Sequence, residues 1–495
     1  MTASSVKSEG KLLLKHSAIY GMATGVQRML GFVMIPLYTS YLAPADYGVM
    51  ELLYMTTSLI EMVVGIGIAH GVVRFYFESD IQTERNKVIS SAFLGMGGLL
   101  LPTVLLLIFS SSTLSFYVLD SREYTSLFVL AFASMGLGML NQVNLSYLRA
   151  EKRSLLVVAS SVGQMLLNLG LNVYFIVVMD MGVAGIFWGN LISVAVTMAV
   201  VTPMVLRRVG IRFSFDVVKG LVKFGLPLIP SNIANYIVVA SDRWFIKEYV
   251  SISETGIYSL GYKFGSLVNN FVTSPFNQIY GPRRMELFRQ DESHALFGRV
   301  FTYFVLIITV VGLGISLVSR DLVRLMADEA YWDAYKIIPL VTLAHIALAF
   351  FYHVNIGITI TKKTKYFMYI NVMNGLLNIG LNILLIPMFG IWGAAWSTLI
   401  CYTFRSGLGY YFSRKLVNTV VEWTRVFVIL GLAAVVFFVF ERIELGNIYL
   451  TMGVKGLICC CFPLALYCGR FFSAEERSEI RSLLAEVLAK VGLRK

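Results

Sequence analysis

Charged residues are scarce in this sequence. They make up 14% of its 495 residues, whereas hydrophobic residues make up 57% and the mean hydropathy is +0.73. Soluble domains usually contain roughly 25% charged residues, so this composition excludes an ordinary soluble protein. Apolar segments of spanning length, about fourteen in all, follow one another with short polar turns between them. We therefore predict an all-α polytopic membrane protein with about 14 transmembrane helices.

The sequence also lacks the features of an enzyme or a disulfide-linked protein. No long polar segment interrupts the apolar ones, and neither a carboxylate pair nor a cluster of metal ligands stands out, so we expect no catalytic domain, no metal and no cofactor. The N-terminal segment has no cleavage site of the signal-peptide type and is expected to stay attached. The cysteines lie in apolar segments, and we interpret them as small apolar residues: Cys401, Cys459, Cys460, Cys461 and Cys468.

Positive charge is unevenly distributed along the chain. The net charge is +12, and Lys and Arg gather in alternate loops. Under the positive-inside rule, this alternation places both termini in the cytoplasm and requires an even number of spanning helices. It also favours anionic lipid headgroups, and not nucleic acid, as the partner of the basic surface. The basic groups include Lys7/Lys11/Lys15, Arg149/Lys152/Arg153, Arg207/Arg208/Arg212 and Lys362/Lys363/Lys365.

One cation lies near the middle of the first spanning segment, residues 16–42. A charge at the centre of a bilayer costs roughly 2.5–3.5 kcal/mol on insertion scales, so Arg28 must face protein or water. Gln27 lies beside it. We predict that both side chains line an aqueous cavity for an anionic substrate. The alternative is a structural Arg28 that pairs with a nearby acid such as Glu61.

The second spanning segment carries a polar face. Tyr54, Thr57, Ser58 and Glu61 follow helical spacing and therefore share one side of a helix. Glu61 falls near mid-membrane, a depth at which acids are usually functional. We expect Tyr54 to contact substrate. We expect Glu61 to form an ion pair or to couple transport to a proton gradient.

Two stretches of seven residues are nearly identical. Residues 166–172 read LLNLGLN and residues 376–382 read LLNIGLN. Their offset spans six apolar segments, so the halves would enter the membrane in the same orientation, as in parallel-repeat transporters that bind substrate between two lobes. The predicted boundaries are 1–206 for an N-lobe, 207–420 for a C-lobe, 421–470 for two extra helices and 471–495 for a tail.

The central cations do not follow this repeat. At a closely similar offset of 208 residues, Arg28 corresponds to Tyr236, and Lys263 to Met55. A scaffold requirement would tend to appear in both halves, so the unmatched charges favour substrate binding. We predict a cationic lumen whose members in the second half are Lys263, Arg405, Asn232, Tyr236, Asn270 and His353.

The second half begins with a helix that contains two prolines three residues apart. Pro227 and Pro230 predict a kink or a break there, because proline lacks the backbone N–H that continues a helix. The same helix ends with Asp242 and Arg243. Asp242 is a candidate for an ion pair or for a cation site that couples transport to a sodium gradient.

Two amphipathic patterns predict helix contacts. Gln164, Asn168 and Asn172 follow helical spacing and form an amide ridge, which we interpret as holding helices together by hydrogen bonds.

Residues 473–476 form a capping box that begins a tail helix. Its apolar stripe favours a position on the cytoplasmic membrane surface, with docking to a partner protein as the alternative.

Five short motifs carry a resemblance to a known family. They are Pro36-Leu37-Tyr38, Pro44-Ala45-Asp46-Tyr47-Gly48, Phe224-Gly225-Leu226-Pro227, Ser241-Asp242-Arg243 and Gly256-Ile257-Tyr258. In combination, and over essentially the full length, the chain resembles the bacterial polysaccharide transporters. These are the Wzx-type O-antigen and exopolysaccharide flippases of the multidrug/oligosaccharidyl-lipid/polysaccharide (MOP) exporter superfamily, whose fold is MATE-like.

The resemblance implies a flippase of the inner membrane. Its substrate would be an undecaprenyl-diphosphate-linked oligosaccharide, carried to the outer leaflet by alternating access and received by Arg28, Lys263 and Arg405. Membrane lipids, a polysaccharide polymerase and chain-length proteins would be partners of a monomeric protein. A lipid II flippase and a cation-coupled multidrug antiporter of the MATE type remain the alternatives.

Overall fold

The computed structural model describes residues 31–65, 68–287, 293–417, 421–479 and 481–482, and the regular structure of these residues is helical throughout. The first helix, α1, covers residues 31–41 of the described chain. The others are α2 (Pro44–Val64), α3 (Ile68–Tyr76), α4 (Gln82–Phe109), α5 (Ser111–Leu119), α6 (Thr125–Ala150), α7 (Ser154–Val173), α8 (Gly182–Val209), α9 (Phe215–Gly225), α10 (Ile229–Tyr249), α11 (Ile252–Gly265), α12 (Ser274–Leu287), α13 (Ser293–Met326), α14 (Ile338–Val354), α15 (Ile356–Ile360), α16 (Lys365–Phe389), α17 (Ile391–Leu416), α18 (Trp423–Phe440) and α19 (Ile448–Cys468).

Many of these helices are long and apolar enough to cross a membrane. Ten meet that test within the described residues, and an eleventh does so if α9 and α10 form one span. The chain is therefore a multi-pass membrane protein, as predicted, whereas the count of fourteen stays a prediction. The predicted proline break is confirmed, because α9 and α10 meet at 48° across a 3-10 turn, Leu226–Leu228.

The helices form two compact units. The first contains residues 1–259, 326–331 and 371–394, and the second contains the remaining residues. In the first unit, α6 packs against α4 and α8. In the second, apolar side chains of α13, α14, α18 and α19 share one buried cluster, which includes Phe301, Ile308 and Phe462. The lobe boundaries drawn from the repeat stay a prediction.

The two LLN-x-GLN sequences make equivalent contacts within the first unit. In the first copy, Asn172 donates to Asn168 (3.2 Å) and to the hydroxyl of Tyr38 in α1 (2.8 Å). In the second copy, Asn382 donates to Asn378 (3.3 Å) and to the carboxylate of Asp242 in α10 (2.9 Å). The interpretation of this amide ridge as a helix-to-helix contact is confirmed.

Two glycines allow α2 and α11 to cross at backbone contact. A Cβ atom on Gly48 would lie 2.1 Å from the carbonyl oxygen of Ile252, and one on Gly256 would lie 2.0 Å from the carbonyl oxygen of Pro44. The same sequence offset separates Pro44 from Ile252 and Gly48 from Gly256, so the contact is symmetric with respect to the repeat. No side chain larger than hydrogen fits at either position.

The two C-terminal spanning helices belong to the second unit. The ammonium group of Lys455 in α19 lies 2.8 Å from the carboxylate of Asp321 in α13, and both side chains are buried. The thiol of Cys459 donates to the carbonyl oxygen of Val310 (3.0 Å), so α19 also contacts α13 through a polar contact one turn further along. This pair holds α19 in one register against α13.

Breaking the Lys455–Asp321 pair is expected to destabilise the protein. Lys455→Met leaves the buried carboxylate of Asp321 without its cation, which costs about 3–5 kcal/mol. The double variant Lys455→Met/Asp321→Leu removes both charges and should recover most of this loss. Thermal unfolding of the detergent-purified variants measures both effects. A single variant that unfolds at the wild-type temperature would contradict the expected role.

The capping box of the tail is confirmed. The backbone N–H of Ser473 donates to the carboxylate of Glu476 (2.7 Å), and the backbone N–H of Glu476 donates to the hydroxyl of Ser473 (3.2 Å). The guanidinium of Arg425 in α18 lies 2.5 Å from the same carboxylate. The guanidinium of Arg425 and the backbone N–H of Ser473, both hydrogen-bonded to this carboxylate, lower the pKa of Glu476 to about 2. The carboxylate therefore stays ionised at physiological pH. The predicted apolar stripe lies outside the described residues: Ile480, Leu483, Leu484, Val487, Leu488 and Val491.

Candidate functional site

The first unit contains a polar cavity between α2, α4, α6 and α10. This cavity, which we call the main cavity, has a volume of about 520 Å³. Apolar methionines line part of it, and the rest is polar or charged. The polar and charged lining residues are Ser58, Glu61, Gln142, Ser146, Arg149, Asn232 and Tyr236.

A smaller space adjoins the main cavity. This side chamber has a volume of about 240 Å³ and lies between α2, α6 and α8. It shares Ser58, Glu61 and Gln142 with the main cavity, so the two spaces are neighbours. The other polar or aromatic residues that line it are Tyr54, Thr57, Ser134, Phe187 and Asn190.

The polar face of α2 forms one wall of the side chamber. Tyr54, Thr57, Ser58 and Glu61 all line it, which confirms that these residues share one side of the helix. The hydroxyl of Thr57 donates to the carbonyl oxygen of Leu53 (2.9 Å) in its own helix. The carboxylate of Glu61 makes no hydrogen bond to another described residue. It therefore faces the cavity as an available acceptor.

Contacts between α2 and α10 fix the wall of the main cavity. The hydroxyl of Tyr236 donates to the carbonyl oxygen of Met55 (3.2 Å), and Asn232 lies one turn earlier on the same helix. Two turns further along α10, the guanidinium of Arg243 lies 3.3 Å from the carboxylate of Glu51. Glu51 is thus neutralised, whereas no ion pair joins Glu61 to another described residue.

Arg149 gives the main cavity a positive charge. It lies in the last turn of α6, and its side chain is exposed. Within the described chain its guanidinium forms no ion pair, so it is available to an anion. In the sequence, Arg149 stands in a basic stretch that indicates a cytoplasmic loop and not a cavity. Its position two helical turns from Gln142 on the same helix was the signal that could have found it.

Asp242 lies in a second polar cluster of the first unit. Its carboxylate is fully buried and accepts hydrogen bonds from the hydroxyl of Tyr258 (2.7 Å) and from the amide of Asn382 (2.9 Å). The hydroxyl of Ser241 donates to the side-chain oxygen of Asn378 (2.9 Å) beside it. The side-chain oxygen of Asn382 is buried and accepts no hydrogen bond from any residue that the structure describes. The cluster therefore offers oxygen atoms of the type that a hard cation prefers.

Four of the predicted lumen residues lie in the second unit. Lys263 is half-buried in α11, and Asn270 lies in the π-helical turn Asn269–Thr273. Arg405 is buried, with its guanidinium 4.5 Å from the ring centroid of Phe351.

His353 is buried between two aromatic rings of that unit. Its ring is parallel to that of Tyr280, with centroids 5.7 Å apart, and also stacks on Phe301 at 4.6 Å. Its Nε2 atom lies 3.2 Å from the carbonyl oxygen of Phe297.

Of the predicted site residues, the structure brings together Tyr54, Glu61, Asn232 and Tyr236 around the two spaces. Arg28 and Gln27 lie outside the described residues.

Sequence reasoning missed two residues of the side chamber. Phe187 and Asn190 face it from α8, three residues apart on one side of that helix. Each occurs among small and apolar residues, so no polar stripe marked this face. The packing of α8 against α6 and α2 brings them to Glu61.

A family model decides the family of this protein. The model described as polysaccharide biosynthesis protein matches residues 13–286, more than half of the sequence. The chain belongs to this family. Among curated proteins no significant match is found. Both helices that carry the polar wall of the main cavity, α2 and α10, lie within the matched range.

Solved structures share the fold of this family member. A lipid II flippase, MurJ, in an inward closed conformation matches with a TM-score of 0.74 at 14% identity, over 93% of this chain and 100% of that chain. An inward-facing multidrug resistance MATE family transporter of the MOP superfamily matches with a TM-score of 0.63 at 14% identity, over 82% and 96%. The Vibrio cholerae MATE transporter VcmN in its bent form matches with 0.55 at 17%, over 83% and 98%. The predicted MATE-like all-α fold is confirmed.

Proposed function

We propose that this protein is a flippase for an undecaprenyl-diphosphate-linked oligosaccharide. It would carry this lipid from the cytoplasmic to the outer leaflet of the bacterial inner membrane by alternating access. The family assignment supports a role in polysaccharide biosynthesis, and the fold it shares with transporters supports movement across a membrane. The glycan would serve the synthesis of O-antigen, exopolysaccharide or capsule.

The polar main cavity is the observation that carries this proposal. A space of about 520 Å³ with charged walls, enclosed by membrane-spanning helices, has no purpose in a scaffold. Arg149 offers a guanidinium without an ion pair in the described chain, and guanidinium groups bind phosphate oxygens in bidentate geometry. Amide and hydroxyl groups of Asn232, Gln142 and Tyr236 suit sugar hydroxyls. Arg28, Lys263 and Arg405 would supply further positive charge along the path.

The proposed flippase would have a fixed orientation in the membrane and a small set of partners. Both termini would be cytoplasmic, since the basic loops alternate. Membrane lipids would surround a monomer, and a polysaccharide polymerase with chain-length proteins would receive its product. Neither nucleic acid nor a soluble cofactor has a role in this scheme.

A lipid II flippase is the second candidate. The fold shared with MurJ over nearly the whole chain favours it, and lipid II requires the same recognition of a diphosphate. A MATE-type antiporter for organic cations would use Glu61, the acid of the main cavity. The family assignment favours the polysaccharide substrate over both.

The amount of lipid-linked glycan on the outer leaflet tests the proposal. Bacterial cells that lack the protein should retain the glycan on the cytoplasmic leaflet, and the wild-type gene should restore its export. An unchanged outer-leaflet amount would contradict flipping. Impaired peptidoglycan synthesis with normal glycan export would favour lipid II, and altered efflux of organic cations alone would favour the antiporter.

Two carboxylates are candidates for coupling transport to an ion gradient. Glu61 faces the main cavity and could exchange a proton as the substrate enters. Asp242 lies among oxygen atoms that fit a sodium ion. Transport by proteoliposomes under imposed gradients separates them, since a proton gradient should drive the first mechanism and a sodium gradient the second. Indifference to both gradients would remove coupling from the proposal.

A further inference from the structure

The side chamber differs in charge from the main cavity beside it. Among the described residues that line the chamber, Glu61 carries the one formal charge, and it is negative. Two phosphate groups would be repelled by this carboxylate. Glu61 also lines the main cavity, but there Arg149 adds a positive charge that offsets it. The two spaces therefore suit different parts of a lipid-linked glycan.

Three helices supply hydrogen-bonding groups to the chamber. Glu61 extends from α2, Gln142 from α6 and Asn190 from α8. Their side chains form no hydrogen bond with other described residues. By contrast, the hydroxyls of Thr57 and Ser134 donate to carbonyl oxygens of their own helices. The carboxylate accepts hydrogen bonds and the two amides donate and accept them, which together match a ring of hydroxyl groups.

An aromatic ring completes the chamber wall. Tyr54 is 36% exposed there, and its ring packs against the buried Phe187 with centroids 5.4 Å apart. The faces of aromatic rings are negative, so they attract the weakly positive C–H groups on one face of a sugar. Tyr54 and Phe187 thus hold each other in place and together form an aromatic part of the chamber wall.

We propose that the side chamber is a monosaccharide subsite. Its volume of about 240 Å³ is below the roughly 300–1,000 Å³ of pockets for drug-sized ligands, so it suits one sugar and not a chain. The sugar attached to the diphosphate would enter it while the diphosphate stays in the main cavity. This inference rests on the proposed function and adds which group of the substrate these residues select.

Two lipids that differ by one sugar test the subsite. The purified full-length protein is titrated with undecaprenyl diphosphate and with undecaprenyl-diphosphate-N-acetylglucosamine. The wild type should bind the glycosylated lipid about tenfold more tightly, as expected for one to two additional hydrogen bonds. Asn190→Ala should reduce this preference about fivefold, and Glu61→Gln and Tyr54→Leu should also reduce it. Asn190→Ala, at a residue that lines the side chamber and not the main cavity, should bind the bare lipid as the wild type does.

Control experiments distinguish a failure of the proposed function from a failure of the subsite alone. Asn86→Ala changes a half-buried amide on α4, hydrogen-bonded to Gln82 and to the carbonyl oxygen of Arg208 outside both spaces, and should keep the full preference. If neither lipid binds, the proposed function fails. If both lipids bind equally to the wild type, or if the three variants keep the preference, the subsite alone is overturned. Tetraphenylphosphonium binding that Glu61→Gln abolishes, without any preference for the sugar, would also overturn it.

Discussion

Replacing Gly256 with valine is expected to reduce glycan export at least tenfold and to destabilise the protein by about 3 kcal/mol or more. The new Cβ would lie 2.0 Å from the carbonyl oxygen of Pro44 and 3.0 Å from the backbone nitrogen of Gly48. Both obstacles are backbone atoms, so no side-chain rotation relieves the overlap. Helices α2 and α11 must separate instead. Thermal unfolding and the outer-leaflet glycan assay measure the two effects.

A matched substitution distinguishes this contact from a general effect of valine. Gly163 in α7 has open space around its Cβ position. Gly163→Val should therefore leave unfolding within about 0.5 kcal/mol of the wild type. Gly48→Val should reproduce the defect of Gly256→Val, because its Cβ would lie 2.1 Å from the carbonyl oxygen of Ile252. Normal export by both the Gly48 and Gly256 variants would show that the helices are not held at this distance during transport.

Removing the charge of Arg28 is expected to abolish export. Arg28→Ala deletes the guanidinium that we predict to receive the diphosphate, whereas Arg28→Lys keeps a positive charge without bidentate geometry and should retain partial export. The amount of protein in the membrane should not change. The outer-leaflet glycan assay gives the result in both cases.

Arg122 provides the control for this prediction. It is an exposed arginine in the turn between α5 and α6, with its guanidinium 5.9 Å from the ring centroid of Phe116. Arg122→Ala removes the same side chain away from both cavities and should export normally. Wild-type export by Arg28→Ala, at normal expression, would leave Arg149 as the cation that the proposal depends on.

Local periodicity predicted the parts of the site that belong to single helices. The face of α2 from Tyr54 to Glu61 needs only helical spacing, and the break before α10 needs only the chemistry of Pro227 and Pro230. The amide ridge was equally readable, because Asn168 and Asn172 follow the same spacing. In each case the physical cause acts over a few residues.

The remaining parts depend on contacts between distant segments. Asn190 reaches the side chamber because α8 packs against α6 and α2, and nothing in its sequence neighbours indicates this packing. Arg149 lies at the end of a helix in a basic stretch, so the positive-inside pattern explained its presence without a role in binding. The hydrogen bond from Asn382 to Asp242 joins residues far apart in sequence. The repeat could have predicted this last contact, because Asn172 of the first copy donates to Tyr38 of α1, the first helix of its own half.

The two amide ridges show how duplicated halves acquired different chemistry. Asn172 donates to a neutral phenol, that of Tyr38, and Asn382 donates to a carboxylic acid group, that of Asp242. A phenol has no net charge for an ion to bind, whereas a carboxylate has. In the proposed flippase, this carboxylate would make one copy of the contact, and not the other, sensitive to the ions on either side of the membrane. Such an asymmetry would give the proposed carrier a means of imposing direction on an otherwise reversible cycle.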